Sequence, residues 1–372
     1  AGVVPTPAIA DLVLERRASA GISISASHNP WRDNGVKIFG ADGGKLPDDG
    51  ESEIENAIGV PGEPFPGPPG APPPADPRLL ELALRRIAGA FSAPLGGFPV
   101  LLDCGNGAAF EMGPRAFRAA GALVEPIAVE PNGRNINENC GALHPENLVS
   151  RLAGSGCRMG AAFDGDADRA ILCDEKGRIL DGDDVLWILA REEKRAGRLD
   201  PPVVVGTVLS NFGLETALRN EGISLERAAV GDRNVVRRMR ETGATLGGEP
   251  SGHVIQSRLS PTGDGIRTAL SVASLVVRSG TDLSRLADLA KTPQVQKNVR
   301  VARRVPLDEI AVLASEVASA ERELAGRGRV LLRYSGTEPL LRVMVEGEDA
   351  ARVEAIAVKL CEVAERELGV RG

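Results

Sequence analysis

The stretch Gly21-Ile-Ser-Ile-Ser-Ala-Ser-His-Asn-Pro-Trp-Arg-Asp-Asn-Gly-Val-Lys-Ile-Phe39 carries the reading of the chain. Ile22, Ile24 and Ala26 alternate with Ser23, Ser25 and Ser27, the twofold period of a short strand. Asn29-Pro30 breaks that strand, because proline donates nothing to a ladder and biases the residue before it away from helix. Ser27 and His28 therefore stand at a strand end, on a loop that returns through Asn34-Gly35 into Val36-Lys37-Ile38-Phe39. A polar turn in which Ser27 caps its own backbone fits these residues, and so does a reacting serine. A serine hydrolase fits less well. There is no Gly-x-Ser-x-Gly elbow, and neighbours on extended backbone project to opposite sides, which would part Ser27 from His28. A serine that carries a phosphoryl group is the remaining chemistry, and it requires a metal and anion-binding loops elsewhere in the chain.

The totals bound the search. A chain of 372 residues suggests two to four domains, and 42% hydrophobic with 26% charged residues is ordinary for a soluble globular protein. No apolar run approaches bilayer length and no signal-like start is visible, so the expected setting is the cytoplasm without membrane association. The chain opens in mid-pattern at Ala1, as a piece of a longer protein would. Five cysteines, odd in number and without a Cys-x-x-Cys pair, read as free thiols and argue against a zinc site. A formal charge of −7 argues against a nucleic-acid surface, while an anionic small substrate would need a locally positive site.

Along the chain, residues 8–18 read as an amphipathic helix leading into the Ile22 strand, and 48–58 as another. Residues 61–77 hold nine prolines and three glycines, a linker or long loop with no core of its own. Helix 78–90 then leads to a second unit: strand Val100–Asp103, the turn Gly105-Asn-Gly107, a helix to Ala120, a strand near 123–127, helix 146–153 and strand Met159–Phe163. Phe110 stands where a dinucleotide fingerprint needs its third glycine, so Gly105-Asn-Gly107 reads as a strand-to-helix turn. A third unit repeats the order with strands 203–207 and 225–230 and helices 211–220, 232–241 and 264–278. The last unit reads strand 295–301, helix 307–325, strands 329–333 and 340–346, and helix 349–368. The expected fold is α/β: tandem α/β/α domains with mixed, mainly parallel sheets, then a C-terminal α+β domain, around a central cleft. The expected domains are residues 1–77, 78–198, 199–293 and 294–372.

Three loops could carry chemistry. Asp164-Gly-Asp166-Ala-Asp168-Arg169 joins two strands, and carboxylates at alternate positions repel unless a hard cation sits among them. An EF-hand is excluded, since Arg169 occupies the position that needs glycine and strands flank the loop. Gly247-Gly-Glu249-Pro-Ser251-Gly-His253 offers close backbone approach with an acceptor, a donor and a switchable ring, as a sugar would require, or simply a decorated glycine hairpin. Arg333-Tyr-Ser335-Gly336-Thr337-Glu-Pro339, with Arg342 nearby, combines turn amides and guanidinium donors suited to phosphate.

Ser25-Ala-Ser27-His28-Asn-Pro30, the Asp164–Arg169 loop, Gly248–His253 and Arg333–Pro339 occur in this order in the α-D-phosphohexomutase family, which the chain resembles along its length. Asn135-Ile-Asn-Glu-Asn-Cys-Gly-Ala-Leu-His144, Gly231-Asp-Arg233 and Thr262-Gly-Asp-Gly265 resemble most the members acting on glucosamine phosphates. Members acting on mannose or glucose phosphates are the alternative, as is a sugar-phosphate binder with a relic site. Pro250 departs from the residues usual in either branch, and the family's opening Gly-Thr-Asp-Gly-Ile-Arg segment is missing, from which lower stability and activity are expected. The resemblance implies that Ser27 carries the phosphoryl group and that one Mg²⁺ per active site joins it to Asp164, Asp166 and Asp168. It implies Lys37 and His28 as proton-transfer groups and glucosamine 1,6-bisphosphate as intermediate and activator. Arg169, Glu249, Ser251 and His253 would bind substrate, while Arg333, Ser335, Gly336, Thr337 and Arg342 clamp the phosphate that is not reacting. The implied partner is a small sugar phosphate, and the assembly a monomer or homodimer.

Overall fold

The computed structural model describes residues 1–58, 70, 74–91, 95–336 and 338–369. Most of the Pro-rich stretch 61–77 lies outside them, as does Thr337. The chain divides into two compact units, residues 1–209 with 222–288 and residues 210–221 with 289–372.

The first unit begins with helix α1 (Thr6–Arg16), which has a proline in its first turn, where the missing N–H costs nothing. Strands β1 (Ala20–Ile24) and β2 (Val36–Gly40) form an antiparallel hairpin with Ile22 opposite Ile38, and helix α2 (Asp48–Ile58) follows. Ala10, Val13 and Phe39 bury the inner face of this segment. Helix α3 (Pro77–Ala90) starts where the Asp76 side chain accepts from Arg78 N.

The next sheet is built from β3 (Pro99–Asp103), β4 (Leu123–Ile127), β5 (Met159–Phe163), β6 (Ala170–Asp174) and β7 (Ile179–Leu180), in the order β4-β3-β5-β6-β7. Helices α4 (Ala109–Ala119) and α5 (Pro145–Leu152) make the crossovers that keep β3, β4 and β5 parallel. Loop 164–169 is far too short for a crossover, so β6 returns antiparallel to β5. Every residue of β5 and β6 is buried, which holds both ends of that loop on a rigid support. Helix α6 (Gly182–Arg195) was not apparent from periodicity, because Val185–Ala190 is a continuous apolar run buried on all sides. Its capping box, Asp181 with Asp184, is the local signal that marks its start.

A third sheet comprises β8 (Val203–Thr207), β9 (Ser224–Ala228), β10 (Leu246–Gly248) and β11 (Val254–Gln256), in the order β11-β10-β8-β9, parallel except for the β10–β11 hairpin. Helix α7 (Phe212–Asn220) lies in the chain between β8 and β9 and groups with the second unit. Helices α8 (Asp232–Thr242), α9 (Gly265–Ser279) and α10 (Leu283–Leu286) complete the first unit, α8 and α9 ending in left-handed glycines 243 and 280.

In the second unit, β12 (Gln294–Arg300), β13 (Gly328–Tyr334) and β14 (Leu340–Gly347) form an antiparallel sheet in the order β12-β14-β13. It packs through Leu341, Val343 and Val345 with Leu313 of α11 (Ala311–Leu324) and Val353, Ile356 and Leu360 of α12 (Ala350–Leu368). The single helix expected over 307–325 is divided into a 3-10 turn at Leu307–Glu309 and α11, since Ile310 leaves helical geometry at ψ 85°. No helix among the described residues is long and apolar enough to cross a membrane.

Candidate active site

The acidic loop is where the parts meet. Asp164, Asp166 and Asp168 each offer an oxygen within 4.8 Å of the others, and all three are buried. Burial pushes the Asp164 carboxyl well above its ordinary range, and the nearby Asp168 and Asp166 charges add to the rise. Burial works in the same direction on Asp168, but His253 and Lys37 outweigh it and hold that carboxyl well below the usual range. Asp166 Oδ1 and Asp168 Oδ1 are buried with no hydrogen-bond partner. Oxygen-only donors, closely grouped and with unpartnered atoms, suit a hard divalent cation.

Ser27 reaches this loop from the β1–β2 connection. Its Oγ donates to Asp164 Oδ2 at 2.5 Å. Ser27 has a φ of 55°, in the left-handed region that most residues avoid. That twist is why the extended-backbone expectation fails: Ser27 Oγ and His28 Nδ1 lie 3.4 Å apart, on one side of the chain. Arg169 Nη1 stands 3.3 Å from the same His28 nitrogen, and a guanidinium only donates, so Nδ1 is the acceptor and the ring proton belongs on Nε2. Burial and the charge of Arg169 lower the His28 pKa from 6.5, despite Asp168 and Asp166.

Lys37 extends from β2 and donates to Asp166 Oδ2 at 2.5 Å and Asp168 Oδ2 at 3.2 Å. Burial of its ammonium opposes the charge, but Asp168 and Asp166 dominate and raise the pKa well above 10.5. Thr6 was not anticipated. At the start of α1, its Oγ1 donates to Asp166 Oδ2 at 2.5 Å and its N–H to the Asp166 carbonyl. The turn Gly105-Asn-Gly107 backs the loop. A Cβ on Gly107 would lie 2.4 Å from Gly165 O, and Ala108 N donates to that oxygen at 2.8 Å.

Of the glycine-rich loop, Glu249 is buried and its Oε1 accepts from Gly231 N at 2.9 Å, so the Gly231-Asp-Arg233 motif orients it. Ser251 is exposed. His253, expected beside them, is 2% exposed; its ring faces Gly263 and its Nδ1 stands 3.6 Å from Asp168 Oδ1. Asp264 of the Thr262–Gly265 motif N-caps α9 and pairs with the buried Arg267, which also binds Asp11 at 2.6 Å.

In the second unit, Arg333 and Arg342 are direct cross-strand partners on β13 and β14. Like charges placed opposite one another are unfavourable, and burial together with Arg342 lowers the pKa of Arg333. Arg342 Nη2 approaches Ser335 Oγ at 3.5 Å, while Arg342 Nε is buried without a hydrogen bond. Gly336 follows on the exposed turn. Arg304, absent from the sequence expectations, fixes that turn by donating to the Ser335 and Glu338 carbonyls at 2.6 and 3.0 Å. A paired-guanidinium face with a buried hydroxyl beside it has the donors an oxyanion requires.

Family models for phosphoglucomutase/phosphomannomutase match the chain almost throughout: alpha/beta/alpha domain I at residues 1–61, domain II at 68–177, domain III at 181–292 and the C-terminal domain at 297–363. The chain belongs to the phosphoglucomutase/phosphomannomutase family, the α-D-phosphohexomutases. Among curated relatives, the phosphoglucosamine mutase of Syntrophotalea carbinolica is 44% identical over 381 residues, covering 100% of this chain and 82% of that protein. The phosphoglucosamine mutase of Solibacter usitatus is 46% identical over 99% of this chain and 83% of its own length. The mutase fold is shared with a solved family protein of Burkholderia thailandensis (TM-score 0.76, 23% identity, 98% of this chain and 81% of that one). It is shared too with the Aspergillus fumigatus N-acetylphosphoglucosamine mutase solved with GlcNAc-6P and magnesium (TM-score 0.66, 18% identity, 98% and 93% covered).

Proposed function

We infer that this phosphohexomutase interconverts glucosamine 6-phosphate and glucosamine 1-phosphate. The observation that carries the reading is the Ser27 hydroxyl on Asp164, at the edge of a buried carboxylate trio, in a chain of this identity to curated phosphoglucosamine mutases.

Ser27 carries the phosphoryl group between turnovers. In the forward half, the P–O bond to Ser27 Oγ breaks as one forms to a sugar hydroxyl, which gives up its proton. The product is glucosamine 1,6-bisphosphate. The bisphosphate then turns over, and in the return half the other sugar O–P bond breaks as one forms to Ser27 Oγ, whose proton passes to the freed sugar oxygen. Asp164, Asp166 and Asp168 would hold Mg²⁺, which would neutralise charge on the transferring group. Lys37 and His28 move the protons. Lys37 arrives as an ammonium, a donor, while the lowered pKa of His28 keeps its ring neutral near pH 7 and able to accept. Arg169, Glu249 and Ser251 recognise the sugar and the reacting end, and His253 supports them from beneath through Asp168. Arg333, Ser335, Gly336, Thr337 and Arg342 bind the distal phosphate, whose charge relieves the Arg333–Arg342 repulsion. Each of the domains 1–77, 78–198, 199–293 and 294–372 carries one of these loops, in a cytoplasmic enzyme that feeds activated amino-sugar synthesis.

A coupled assay with glucosamine 6-phosphate, with and without Mg²⁺, tests the reading beside the matching glucose and mannose phosphates. Glucosamine phosphate should be the best substrate, and chelation should abolish turnover. Incubation with glucosamine 1,6-bisphosphate should add one phosphoryl to the intact mass of the chain, and Ser27→Ala should lose it together with at least about a thousandfold in kcat. A chain that binds sugar phosphate yet neither turns it over nor takes up phosphoryl would be a binding protein, and the reading would fall.

A further inference from the structure

We propose that Asn137 is a positioning residue for the reacting serine, the clasp that holds the Ser27 loop in register with the acidic loop. The proposal rests on the reading of Ser27 as phosphoryl carrier. Asn137 lies in the Asn135–Cys140 run, between β4 and β5.

Its side-chain amide is nearly buried, and both its protons are used across a sequence gap of over a hundred residues. Asn137 Nδ2 donates to Ser27 O at 3.0 Å and to Asn29 O at 3.1 Å, the carbonyls on either side of His28. The backbone of Asn137 is itself anchored, its N–H donating to Gly105 O at 2.9 Å. Gly105 opens the turn whose Ala108 N–H holds Gly165 O of the acidic loop. Serine loop and acidic loop are therefore referenced to one turn, the first through Asn137 and the second directly. The fit between them is close: a Cβ on Gly165 would lie 2.3 Å from Ser27 O and 3.0 Å from Asn137 Nδ2. Arg134 adds a second link, its guanidinium 5.4 Å from the Trp31 ring centroid on the serine loop.

The residue type follows from the task. Asn137 has a φ of 57°, a conformation that asparagine tolerates far better than most residues. An amide offers two donors, where aspartate offers none and serine only one. Ser27 also sits in the left-handed region, at φ 55°, so its loop needs an outside hold to stay there. Positioning matters because phosphoryl transfer depends on in-line placement, and a displacement of about 1 Å can cost about a hundredfold in rate.

Asn137→Gly keeps the left-handed backbone and removes the amide. Asn137→Asp keeps the shape and turns carboxylate oxygens toward the two carbonyls. Asn135→Ala is the control: Asn135 braces the same 130–137 loop through Asn132 N and Glu130 O, with no hydrogen bond to the serine loop. In both Asn137 variants, kcat and the rate of Ser27 phosphorylation by glucosamine 1,6-bisphosphate should fall about a hundredfold, with KM within about twofold. Amide exchange of peptides covering residues 25–30 should quicken at least about tenfold in Asn137→Gly. Asn135→Ala should keep kcat within about threefold of the parent. Parent-like kcat, phosphorylation rate and exchange in folded Asn137→Gly would overturn the proposal. So would an equal loss in Asn135→Ala, which would mean general loosening of the loop. A parent that takes up no phosphoryl group would overturn the reading of Ser27 and the proposal with it.

Discussion

Ser27 Oγ donates to Asp164 Oδ2 at 2.5 Å, joining the turn after β1 to the loop after β5. The acceptor is a carboxylate that burial and its two acidic neighbours make hard to ionise. A hydroxyl is thus held where negative charge is already in excess, an arrangement that becomes favourable once a cation enters.

Asp164→Asn should stabilise the metal-free protein while destroying its response to metal. The raised Asp164 pKa means that the folded form holds this proton more tightly than the unfolded chain does. Its stability contribution is complete below 3.8 and is lost as pH rises through the folded value. At pH 7 in chelator the variant should melt about 2 °C higher than the parent, and the gap should close toward acid pH. Added Mg²⁺ should raise the melting temperature of the parent only. A variant less stable than the parent in chelator would contradict the repulsion.

Lys37→Met leaves Asp166 without its cation and Asp168 with only His253 and the more distant Arg169 beside it. Partial exposure of the lysine tempers the usual cost of breaking a buried pair, so a loss of about 2–3 kcal/mol is expected from urea unfolding at pH 7. The raised pKa makes the stabilisation complete below 10.5 and lost above it, so the gap at pH 9 should match that at pH 7. Turnover should fall about a hundredfold or more. Unchanged urea midpoints would show that the pair contributes nothing.

His28 should make the folded state sensitive to mild acid. Burial and Arg169 depress its pKa below 6.5, so the unfolded chain binds this proton first as pH falls. Stability then rises with pH across the window from the folded value up to 6.5. His28→Gln should flatten the dependence of melting temperature on pH between 5 and 7. Parallel curves for parent and variant would rule out this source.

Arg267→Met should be severe although it lies outside the carboxylate trio. Arg267 is 1% exposed and pairs with Asp11 and Asp264, so its loss leaves the buried Asp264 without a cation and buried Asp11 with only Arg86, at a cost of about 3–5 kcal/mol. Adding Asp11→Leu and Asp264→Asn should recover most of it, since Asn still caps α9. Denaturant midpoints of the single and triple variants check this; a triple variant no better than the single would refute it.

Local pattern reached far into this chain. Alternation marked β1, strand-then-helix order marked the parallel sheets, and glycine and proline marked the turns, because these signals act over a few neighbouring residues. Pattern missed α6, whose apolar run has no polar face, and the break at Ile310 in the last unit. At the site it singled out Ser27 and the three aspartates, while Lys37 came only from the family resemblance. It passed over Thr6, Asn137, Arg267 and Arg304, which are ordinary residues until a distant partner gives them a task.

What the amino-acid order determined alone was most of the succession of elements, the placing of candidate residues at strand ends and a cluster of acids suited to a cation. Only the tertiary structure decided that Ser27 takes a left-handed turn toward Asp164, that Lys37 and Thr6 share Asp166, and that His253 turns inward to Asp168. The reason is one of range. Backbone preference extends over a turn or two, whereas charge compensation and hydrogen-bond satisfaction are settled by whichever groups packing brings within about 3 Å.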